Sequence, residues 1–597
     1  MTIVERLSAF RAMMDKNGIA AAIIPTADSH ASEYLADYFK TRQWLCGFTG
    51  SAGTLVVGCE EAALFADGRY FIQAERQLAG SGVTLMRMGT AGTPTEEAYI
   101  LSLVKSGDRV AIDGAVYGAR AAAALEKALS AAGASLVHVG DWFADLWQDR
   151  PAMPDAPVFV LEERYAGCSA GKKLEQIREK MQAVGAQLHV CNVLDDIAWT
   201  LNIRGGDVHN TPVVMSYLTV SADGAALYID SRKLDDAVRA HLAACGVAIR
   251  PYEAIEADLA AVPEGTGVLA DLSKLTMALT KALMKAKIVE QPNPAFLLKA
   301  IKNDVELDNL RAAHVKDGLA VTRLMYWLKK NAGKVPMDEI SVSDRLLDLR
   351  AQQEGFISPS FDTICAYREN AAMMHYKAQP GACAVVEPRD LLLTDSGGQY
   401  LEGTTDITRT FAMGDVTTEQ KHHFTAVLCG MLNLANAKFL HGCSGIALDI
   451  LARGPMWDMG IDYRCGTGHG IGYLLSVHEG PNSFRWYKSA TRNEDTVLVP
   501  GMVTTDEPGV YIEGSHGIRT ENELVCREIE TNEYGQFLGF EVITCAPIDL
   551  DAVLPEEMTA RQRGWLNAYH AFVREKLSPL MADEDERAWL EHATRTI

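Results

Sequence analysis

The stretch "TDSGGQYLEGTTDITRTF", residues 394–411, contains two aspartates, Asp395 and Asp406, separated by Ser-Gly-Gly and a threonine-rich segment. Aspartate and glycine tolerate the backbone angles of tight turns, so Ser-Gly-Gly predicts a turn. Strands on either side of that turn would place the two carboxylates side by side across a hairpin. Taken alone, the stretch is more typical of an acidic turn than of a metal site, and both interpretations stay open at this point.

Two later stretches carry further candidate ligands. In "CGTGHGIGYLLSVHEGP", residues 465–481, His469 lies between two glycines, which leave room for a substrate or metal to approach it. A chance histidine in a glycine-rich turn is the alternative. In "TTDEPGVYIEGSHGIRTENELV", residues 504–525, Glu507 is predicted where a strand meets a turn and Glu521 on a strand. With Asn522 and Glu523 beside it, Glu521 is also typical of a solvated acidic edge.

Considered together, these residues form a set of four carboxylates and one imidazole, each at the rim of a glycine-marked strand. Oxygen-rich ligation with one nitrogen suits Mn²⁺ better than structural Zn²⁺, which prefers Cys and His. Four negative ligands also match two divalent cations and a bridging hydroxide. The combination therefore favours a dinuclear metal site over separate acidic turns. The predicted ligands are Asp395, Asp406, His469, Glu507 and Glu521.

The chain is too long for one hydrophobic core, and two proline-marked seams indicate where it divides. At 597 residues, two to four domains are expected. The seams are "DRPAMPDAPVF" around Pro151–Pro157 and "VEQPNPAF" around Pro292. Proline removes a backbone donor and disfavours helix in the residue before it, so such clusters indicate linkers. We predict domains at residues 1–155, 156–295 and 296–597.

The first two predicted domains resemble copies of one α/β unit. "AALFADGRYFIQAERQL" begins at Ala62 and "AALYIDSRKLDDAVRAHL" begins at Ala225. Each reads as a short apolar strand, an Asp-x-Arg turn and an amphipathic helix. Upstream, "NGIAAAIIP" near Gly18 and "VGAQLHVCN" near Gly185 each indicate a helix end followed by a strand. The distance along the chain between Ala62 and Ala225 is too long for the repeat of a solenoid, so the similarity favours a duplicated α/β domain.

The third predicted domain begins with a long helix and continues with short β-like runs. In "VELDNLRAAHVKDGLAVTRLMYWLKKN", apolar residues recur at three- and four-residue steps, and His314 lies on that apolar stripe. We interpret His314 as a core histidine rather than a ligand. The later runs, interrupted by helices, predict an α+β layout with a curved antiparallel sheet backed by helices.

Charge and composition exclude several classes of partner. The formal net charge of -22 would repel nucleic acid and anionic membrane surfaces, so neither is expected to bind. The twelve scattered cysteines indicate reduced thiols rather than a disulfide framework. The first residues, "MTIVERLSAFRAMMDKNGIA", predict an amphipathic helix and lack the regions of a signal peptide. The expected location is therefore the cytoplasm.

The ordered ligand set resembles that of the pita-bread metallopeptidases, which include methionine aminopeptidase, prolidase and aminopeptidase P. "SPSFDTICAYRENAAMMHY" at 358–376 and "WLNAYHAFVREKLSPLM" at 565–581 narrow the resemblance to the cytosolic-type, three-domain Xaa-Pro aminopeptidase family. The resemblance covers essentially the whole chain. It implies two creatinase-like α/β domains, a C-terminal pita-bread catalytic domain, a homodimer, and peptides with proline at position 2 as substrates.

The resemblance also implies a role for each matching residue. Asp395 would bind one metal ion, His469 and Glu507 the other, and Asp406 and Glu521 would bridge both. A bridging hydroxide would attack the carbonyl carbon of the bond preceding proline, while Glu507 takes up and returns the proton. His375 and His478 would contact substrate and stabilise the tetrahedral intermediate, and Arg519, on the strand face of Glu521, would support the ligands from behind. The ions would be Mn²⁺, with Co²⁺ or Zn²⁺ as alternatives.

One position departs from this pattern, and two other activities compete. Better-known members of the family carry histidine where this chain has Cys465, and a thiol cannot supply a cationic imidazole. We interpret Cys465 as a tolerated replacement behind the ligands, with a redox sensor or an extra ligand as the alternatives. Prolidase, which cleaves only dipeptides, is the competing enzyme. A catalytically inactive binding module is disfavoured because all five ligands are present.

Overall fold

The structure, a computed structural model, describes residues 1–488 and 495–597. The chain forms two compact units, which we describe separately. The first comprises Met1–Leu161 and Cys168–Ala295, and the second comprises Glu162–Gly167 and Phe296–Ile597. The further division of the first unit at residue 155 stays a prediction. In the described ranges, no helix has both the length and the apolar character needed to cross a bilayer.

The first unit contains two six-stranded mixed sheets. In sheet order, the strands of the first sheet are Thr84–Arg87, Ala62–Ala66, Thr54–Gly58, Ala21–Pro25, Arg109–Ile112 and Ser135–His138. Those of the second are Val247–Arg250, Ala225–Ile229, Ser216–Ser221, Leu188–Cys191, Gly267–Ala270 and Lys287–Glu290. The longer helices that pack on them are Ile3–Lys16, Ala119–Ala131, Ala170–Ala183, Leu194–Leu201 and Asp236–Ala244.

The two sheets have the same topology, which confirms the predicted duplication. In each sheet, the three strands that come first in sequence pair antiparallel with one another. The other three strands join the sheet through parallel pairing. The Asp-x-Arg turns also match, because Arg69 donates through two nitrogens to Asp67 and Arg232 does the same to Asp230. Gly18 and Gly185 both end a helix with positive φ, the backbone conformation that glycine adopts without steric cost.

The second unit is α+β and contains antiparallel sheets. Its six-stranded sheet runs Lys438–Leu440, Gly535–Val542, Asn522–Asn532, Val503–Asp506, Gly468–Gly470 and Glu479–Phe484. Two three-stranded sheets comprise Ile364–Tyr367, Leu391–Ser396 and Ile407–Ala412, and Phe356–Pro359, Gly398–Tyr400 and Gly403–Thr404. A two-stranded hairpin joins Gly509–Ile512 to His516–Arg519. The main helices are Asp304–Asn331, Glu339–Ala351, Thr418–Ala435, Gly445–Asp458, Ala560–Leu577 and Glu584–Ala593.

The long helix predicted at the start of this unit spans Asp304–Asn331. Its N-terminus is closed by a capping box between Asn303 and Glu306, so two backbone donors that the helix leaves unpaired are satisfied. The predicted apolar stripe is buried, and so is His314, at 2% exposure. His314 is therefore the core histidine expected from the sequence.

Candidate metal centre

Asp395 and Asp406 come together through pairing of the strands Leu391–Ser396 and Ile407–Ala412. These strands are antiparallel, with Asp395 opposite Thr408, and Asp406 lies immediately before the second strand. The prediction of a turn at Ser-Gly-Gly was wrong. The chain instead continues into a second sheet at Gly398–Tyr400, and it reverses only at Leu401 and Glu402 before pairing back.

Gly397 lies at a close approach of two backbone segments and not in the predicted turn. A Cβ at this position would lie 1.8 Å from Thr405 O and 2.2 Å from Ser360 Oγ. The two backbone segments that lead from Asp395 and into Asp406 therefore approach each other too closely for any side chain. Glycine is needed there for close packing of the backbone.

His469 and Glu507 are positioned by neighbouring strands of the six-stranded sheet. His469 N donates to Thr505 Oγ1 at 3.0 Å, and Glu507 N donates to Thr467 O at 2.7 Å. His469 Nε2 then lies 3.6 Å from Glu507 Oε1 and also 3.6 Å from Asp406 Oδ2. The imidazole thus faces one carboxylate from each sheet.

Glu521 completes the group of closely spaced ligand atoms. Asp406, His469 and Glu521 each offer one ligand atom, and these atoms lie within 4.8 Å of one another. The sequence placed Glu521 on a strand with Arg519, but one strand ends at Arg519 and the next begins at Asn522. Glu521 lies between them because the chain changes sheets there, and Glu521 N donates to Thr408 O at 3.1 Å.

The carboxylates of this centre are held in an environment that disfavours their charge. Burial, followed by the charges of Glu521 and Asp395, raises the pKa of Asp406 well above its usual value. Burial and the charge of Glu507 do the same for the pKa of Glu521. Burial raises the pKa of Glu507 to about 7, against the opposing effect of Arg519. Removal from water and mutual repulsion are relieved when cations bind between such groups.

Arg519 is the cation that neutralises part of this charge. It forms an ion pair with Asp395, donates to Tyr511 OH at 2.6 Å and donates through Nε to Thr408 Oγ1 at 3.1 Å. Thr408 Oγ1 in turn donates to Glu521 Oε2 at 2.8 Å. Arg519 therefore orients two of the carboxylates from behind.

The residues present fit divalent metal ions. Within the described ranges, Asp395 Oδ1 is buried and has no hydrogen-bond partner, which is costly for a carboxylate oxygen unless a cation approaches it. Four carboxylates and one imidazole face one another, and one arginine offsets only part of their charge. Oxygen-rich ligation of this kind suits Mn²⁺ and similar ions.

The predicted substrate histidines lie in two different segments. The rings of His478 and His469 are 4.3 Å apart and packed edge to face, so His478 is beside the ligand cluster. His375 is half-buried in the turn that Tyr376 N closes by donating to Met373 O. The segment that leads into this turn, Arg368–Ala372, packs against the strands that carry Asp395 and Arg519.

Cys465 lies behind the site in a setting that keeps its thiol neutral. Burial, followed by the charge of Glu507, raises the pKa of this thiol to about 12. Its carbonyl oxygen accepts a hydrogen bond from Arg453 Nη2 at 3.1 Å. A thiol that stays protonated is a poor nucleophile and a poor metal ligand.

Glu523 was missed as a functional residue by the sequence analysis. It is fully buried, so the solvated acidic edge considered for this stretch is wrong. Its Oε1 accepts a hydrogen bond from Asp406 N at 2.8 Å and lies 2.9 Å from His314 Nε2. The sequence signal for Glu523 was its position two residues after Glu521, because alternate residues of an extended chain lie on the same face.

A second missed group supports His469 and Glu507. Asp449 and Arg453 form a fully buried ion pair on the helix Gly445–Asp458. Thr467 Oγ1 donates to Asp449 Oδ1 at 2.5 Å, and Arg453 Nη2 donates to Thr467 Oγ1 at 3.2 Å. Because Thr467 precedes the His469 strand and its carbonyl accepts from Glu507 N, this pair fixes both ligands.

Comparison with known proteins covers the entire chain. Residues 6–146 and 149–306 each match a model of the creatinase/prolidase N-terminal domain. Residues 308–528 match metallopeptidase family M24, and residues 536–597 match the C-terminal region of that peptidase. All five predicted ligands lie within the M24 match.

Individual relatives agree with these matches. The probable Xaa-Pro aminopeptidase P of Botryotinia fuckeliana is 41% identical over 604 residues, covering 98% of this chain and 92% of that protein. Aminopeptidase P2 of Arabidopsis thaliana is 38% identical over 636 residues, covering 100% and 89% respectively. The crystal structure of X-prolyl aminopeptidase from Caenorhabditis elegans, described as a cytosolic enzyme with a di-nuclear active site, matches with a TM-score of 0.94. Its sequence identity is 33%, and the match covers 100% of both chains.

Proposed function

The chain belongs to the aminopeptidase P group of metallopeptidase family M24, and from this premise we propose that it removes the N-terminal residue from peptides whose second residue is proline. The observation that carries the proposal is the cluster of Asp406, His469 and Glu521, whose ligand atoms lie within 4.8 Å of one another. Asp395 and Glu507 extend this cluster to the five positions expected for a dinuclear site.

The proposed ligands divide the work of holding two divalent cations. Asp395, His469 and Glu507 would each serve one ion, while Asp406 and Glu521 would serve both. Ions held there would supply Lewis-acid polarisation of the scissile carbonyl and would lower the pKa of bound water. Mn²⁺ is the ion that we propose, with Co²⁺ and Zn²⁺ as alternatives.

The remaining steps belong to the side chains around the ligands. Glu507, whose pKa burial raises to about 7, is suited to accept a proton from water and return it to the proline nitrogen as the bond breaks. His478, packed edge to face on His469, would donate a hydrogen bond to the carbonyl oxygen as negative charge develops on it. His375 would contact the substrate from its own segment.

The proposed substrate class is that of the relatives named Xaa-Pro or X-prolyl aminopeptidase, and the chemistry of the bond explains why it needs a dedicated enzyme. A peptide bond that precedes proline is a tertiary amide with a fixed ring and no N–H group, so general peptidases handle it poorly. A dedicated pocket is therefore expected. We further propose a cytoplasmic homodimer, supported by the cytosolic description of the Caenorhabditis elegans enzyme and by the family pattern.

Prolidase is the competing activity, and substrate length separates the two. An aminopeptidase hydrolyses an Arg-Pro-Pro-type peptide at its first bond, whereas a prolidase hydrolyses only the Xaa-Pro dipeptide. Strict preference for the dipeptide would replace our proposal with prolidase activity. A binding module without activity is disfavoured because the chain carries all five ligand residues.

The deciding experiment uses metal-depleted protein and an Arg-Pro-Pro-type peptide. Mn²⁺, Co²⁺ or Zn²⁺ is restored in turn, and release of the N-terminal residue is followed. We expect no hydrolysis without metal and hydrolysis with at least one ion. The variant His469→Ala, tested in parallel, should stay inactive with every ion, and absence of hydrolysis by the wild-type protein with all three ions would refute the proposal.

A further inference from the structure

Glu339 is a fully buried carboxylate at the start of the helix Glu339–Ala351. Its Oε1 accepts hydrogen bonds from Tyr367 N at 2.7 Å and Asn370 Nδ2 at 2.9 Å. Its Oε2 accepts from Tyr376 OH at 2.7 Å and Ala384 N at 2.8 Å. A single side chain thus binds four donors spread over residues 367–384, and hydrogen bonds to a charged acceptor are the stronger kind.

The segment that Glu339 binds has little regular structure of its own. After the short helix Arg368–Ala372, residues 373–390 form neither helix nor strand, and much of 377–383 is exposed or half-buried. Such a segment has few backbone hydrogen bonds to hold it, so its conformation depends on side-chain anchors. Of the four residues that donate to Glu339, two precede His375 in the chain and two follow it. Tyr376, one of the anchors, is the next residue after His375 in the chain.

The same segment packs against the strands that carry Asp395 and Arg519. Ile364, three residues before Tyr367 on the same strand, pairs with Asp395. At Gly517, on the strand that ends at Arg519, an added Cβ would lie 1.8 Å from Ala371 O. The backbone before His375 is therefore fixed on one side by the Arg519 strand and on the other by Glu339.

We propose that Glu339 is a positioning residue that sets His375 against the bound peptide. This inference rests on the proposed function, because it assigns the positioning to a histidine that contacts substrate. Glu339 acts through Tyr376 and Asn370, which bind the same carboxylate and also each other, with Asn370 Nδ2 donating to Tyr376 OH at 3.1 Å. In catalysis, displacement of a contacting group by about 1 Å costs as much as about 100-fold in rate.

The test is a double-mutant cycle between Glu339 and His375. Glu339→Gln keeps the shape of the side chain but cannot accept from all four donors, because one oxygen becomes an NH₂ group. We expect it to retain both metal ions and to lower kcat/KM on an Arg-Pro-Pro-type peptide by about 10- to 100-fold. In the His375→Ala background, the same substitution should have little further effect, because the residue through which it acts is already gone.

Two further variants and the wild-type protein keep the test decisive. Glu369→Gln alters an exposed carboxylate of the same segment and should leave kcat/KM and metal content unchanged. Tyr376→Phe removes one of the four bonds, and it should give a smaller loss that is also absent in the His375→Ala background, whether or not Glu339→Gln folds. Additive losses in the cycle, or loss of bound metal in the Glu339 variant, would overturn the inference. Wild-type hydrolysis in the same assay reports separately on the proposed function.

Discussion

At the residue scale, the centre is governed by carboxylates that are costly to ionise without a cation. Burial raises the pKa of Asp406, Glu507 and Glu521, while Arg519 forms an ion pair with Asp395 and opposes the rise at Glu507 and Glu521. The four acids therefore differ in how much of their charge the protein already neutralises. Asp406 faces His469 and is surrounded by the other acids, so it depends most on a bound metal ion.

This difference predicts unequal effects of two matched substitutions. Asp406→Asn should weaken binding of both metal ions, because we propose that its carboxylate serves both. Asp395→Asn should mainly loosen one ion, because we propose that Asp395 serves one ion and not both; the change also removes the carboxylate that pairs with Arg519. Metal stoichiometry after dialysis measures both, with the exposed Asp458→Asn as the control. Equal loss of both ions in Asp395→Asn would contradict the assignment.

Cys465 gives a second prediction at this scale. Its thiol stays protonated at neutral pH because burial raises its pKa to about 12. Cys465→Ala should therefore keep both metal ions and most of the activity, with Cys443→Ala as the matched control at a cysteine outside the site. Metal content and kcat/KM are the measurements. Loss of bound metal in Cys465→Ala alone would show that the thiol is a ligand.

At the scale of elements, the sequence predicted the residues of the candidate site better than the strand arrangement and contacts that bring them together. Glycine-flanked acids at strand rims indicated Asp395, Asp406, Glu507 and Glu521, because those residue types in that setting are unusual in combination. The sequence did not indicate Glu339, whose partners lie 28 to 45 residues away along the chain and follow no periodic pattern. It also misplaced the turn after Asp395, because local propensity cannot reveal that the chain crosses between two sheets there.

Gly397 provides a test of this crossing. Gly397→Ala would place a methyl group 1.8 Å from Thr405 O, so the backbone must move, at a cost of about 1–3 kcal/mol in the free energy of unfolding. Because the segments on both sides carry Asp395 and Asp406, affinity for metal should fall as well. Denaturant unfolding and metal titration measure the two effects.

The control for this prediction is another glycine-to-alanine change. At Gly454, within the helix Gly445–Asp458, an added Cβ would meet nothing within 4 Å. Gly454→Ala should leave metal affinity unchanged and stabilise the helix slightly, because alanine favours helix. Equal behaviour of the two variants would mean that Gly397 is not required for close approach of the backbone.

At the scale of the whole molecule, the duplication was visible in sequence because it repeats local signals. The apolar strand, the Asp-x-Arg turn and the following helix recur at Ala62 and Ala225, and each copy forms the same part of its sheet. The order of the remaining strands could not be read from the sequence, since parallel partners are joined by long crossovers that leave no pairing signal. Each described unit nonetheless contains a buried histidine whose ionisation strongly links stability to pH.

These histidines are His189 in the first unit and His570 in the second. Burial lowers the pKa of His189 to about 4 and that of His570 to about 3. His189 Nδ1 lies 3.1 Å from Leu269 O, and His570 Nε2 accepts a hydrogen bond from Ile548 N at 3.1 Å. Protonation at Nε2 would abolish the second bond and place a charge in the core.

The sign of the pH dependence follows from these directions. Below about pH 6.5 the unfolded chain binds a proton at each histidine while the folded chain does not, so stability falls as pH falls. At pH 5 each should cost about 2 kcal/mol relative to pH 8. Asp406, Glu507 and Glu521, whose pKa values are raised, act in the opposite direction in metal-free protein, because their protonation stabilises the folded state relative to the unfolded one. Total stability therefore mixes the two effects.

Comparing each histidine variant with the wild type separates the contribution of the histidine from that of the carboxylates. His570→Gln keeps an acceptor for Ile548 N but does not titrate, so its free energy of unfolding relative to wild type should rise by about 2 kcal/mol between pH 8 and pH 5. His189→Gln should behave in the same way in the first unit. Urea unfolding of metal-free protein at several pH values gives these differences, in which the contribution of the carboxylates cancels. A difference that stays constant with pH would mean that the histidine has the same pKa in the folded and unfolded chain, and would contradict the prediction.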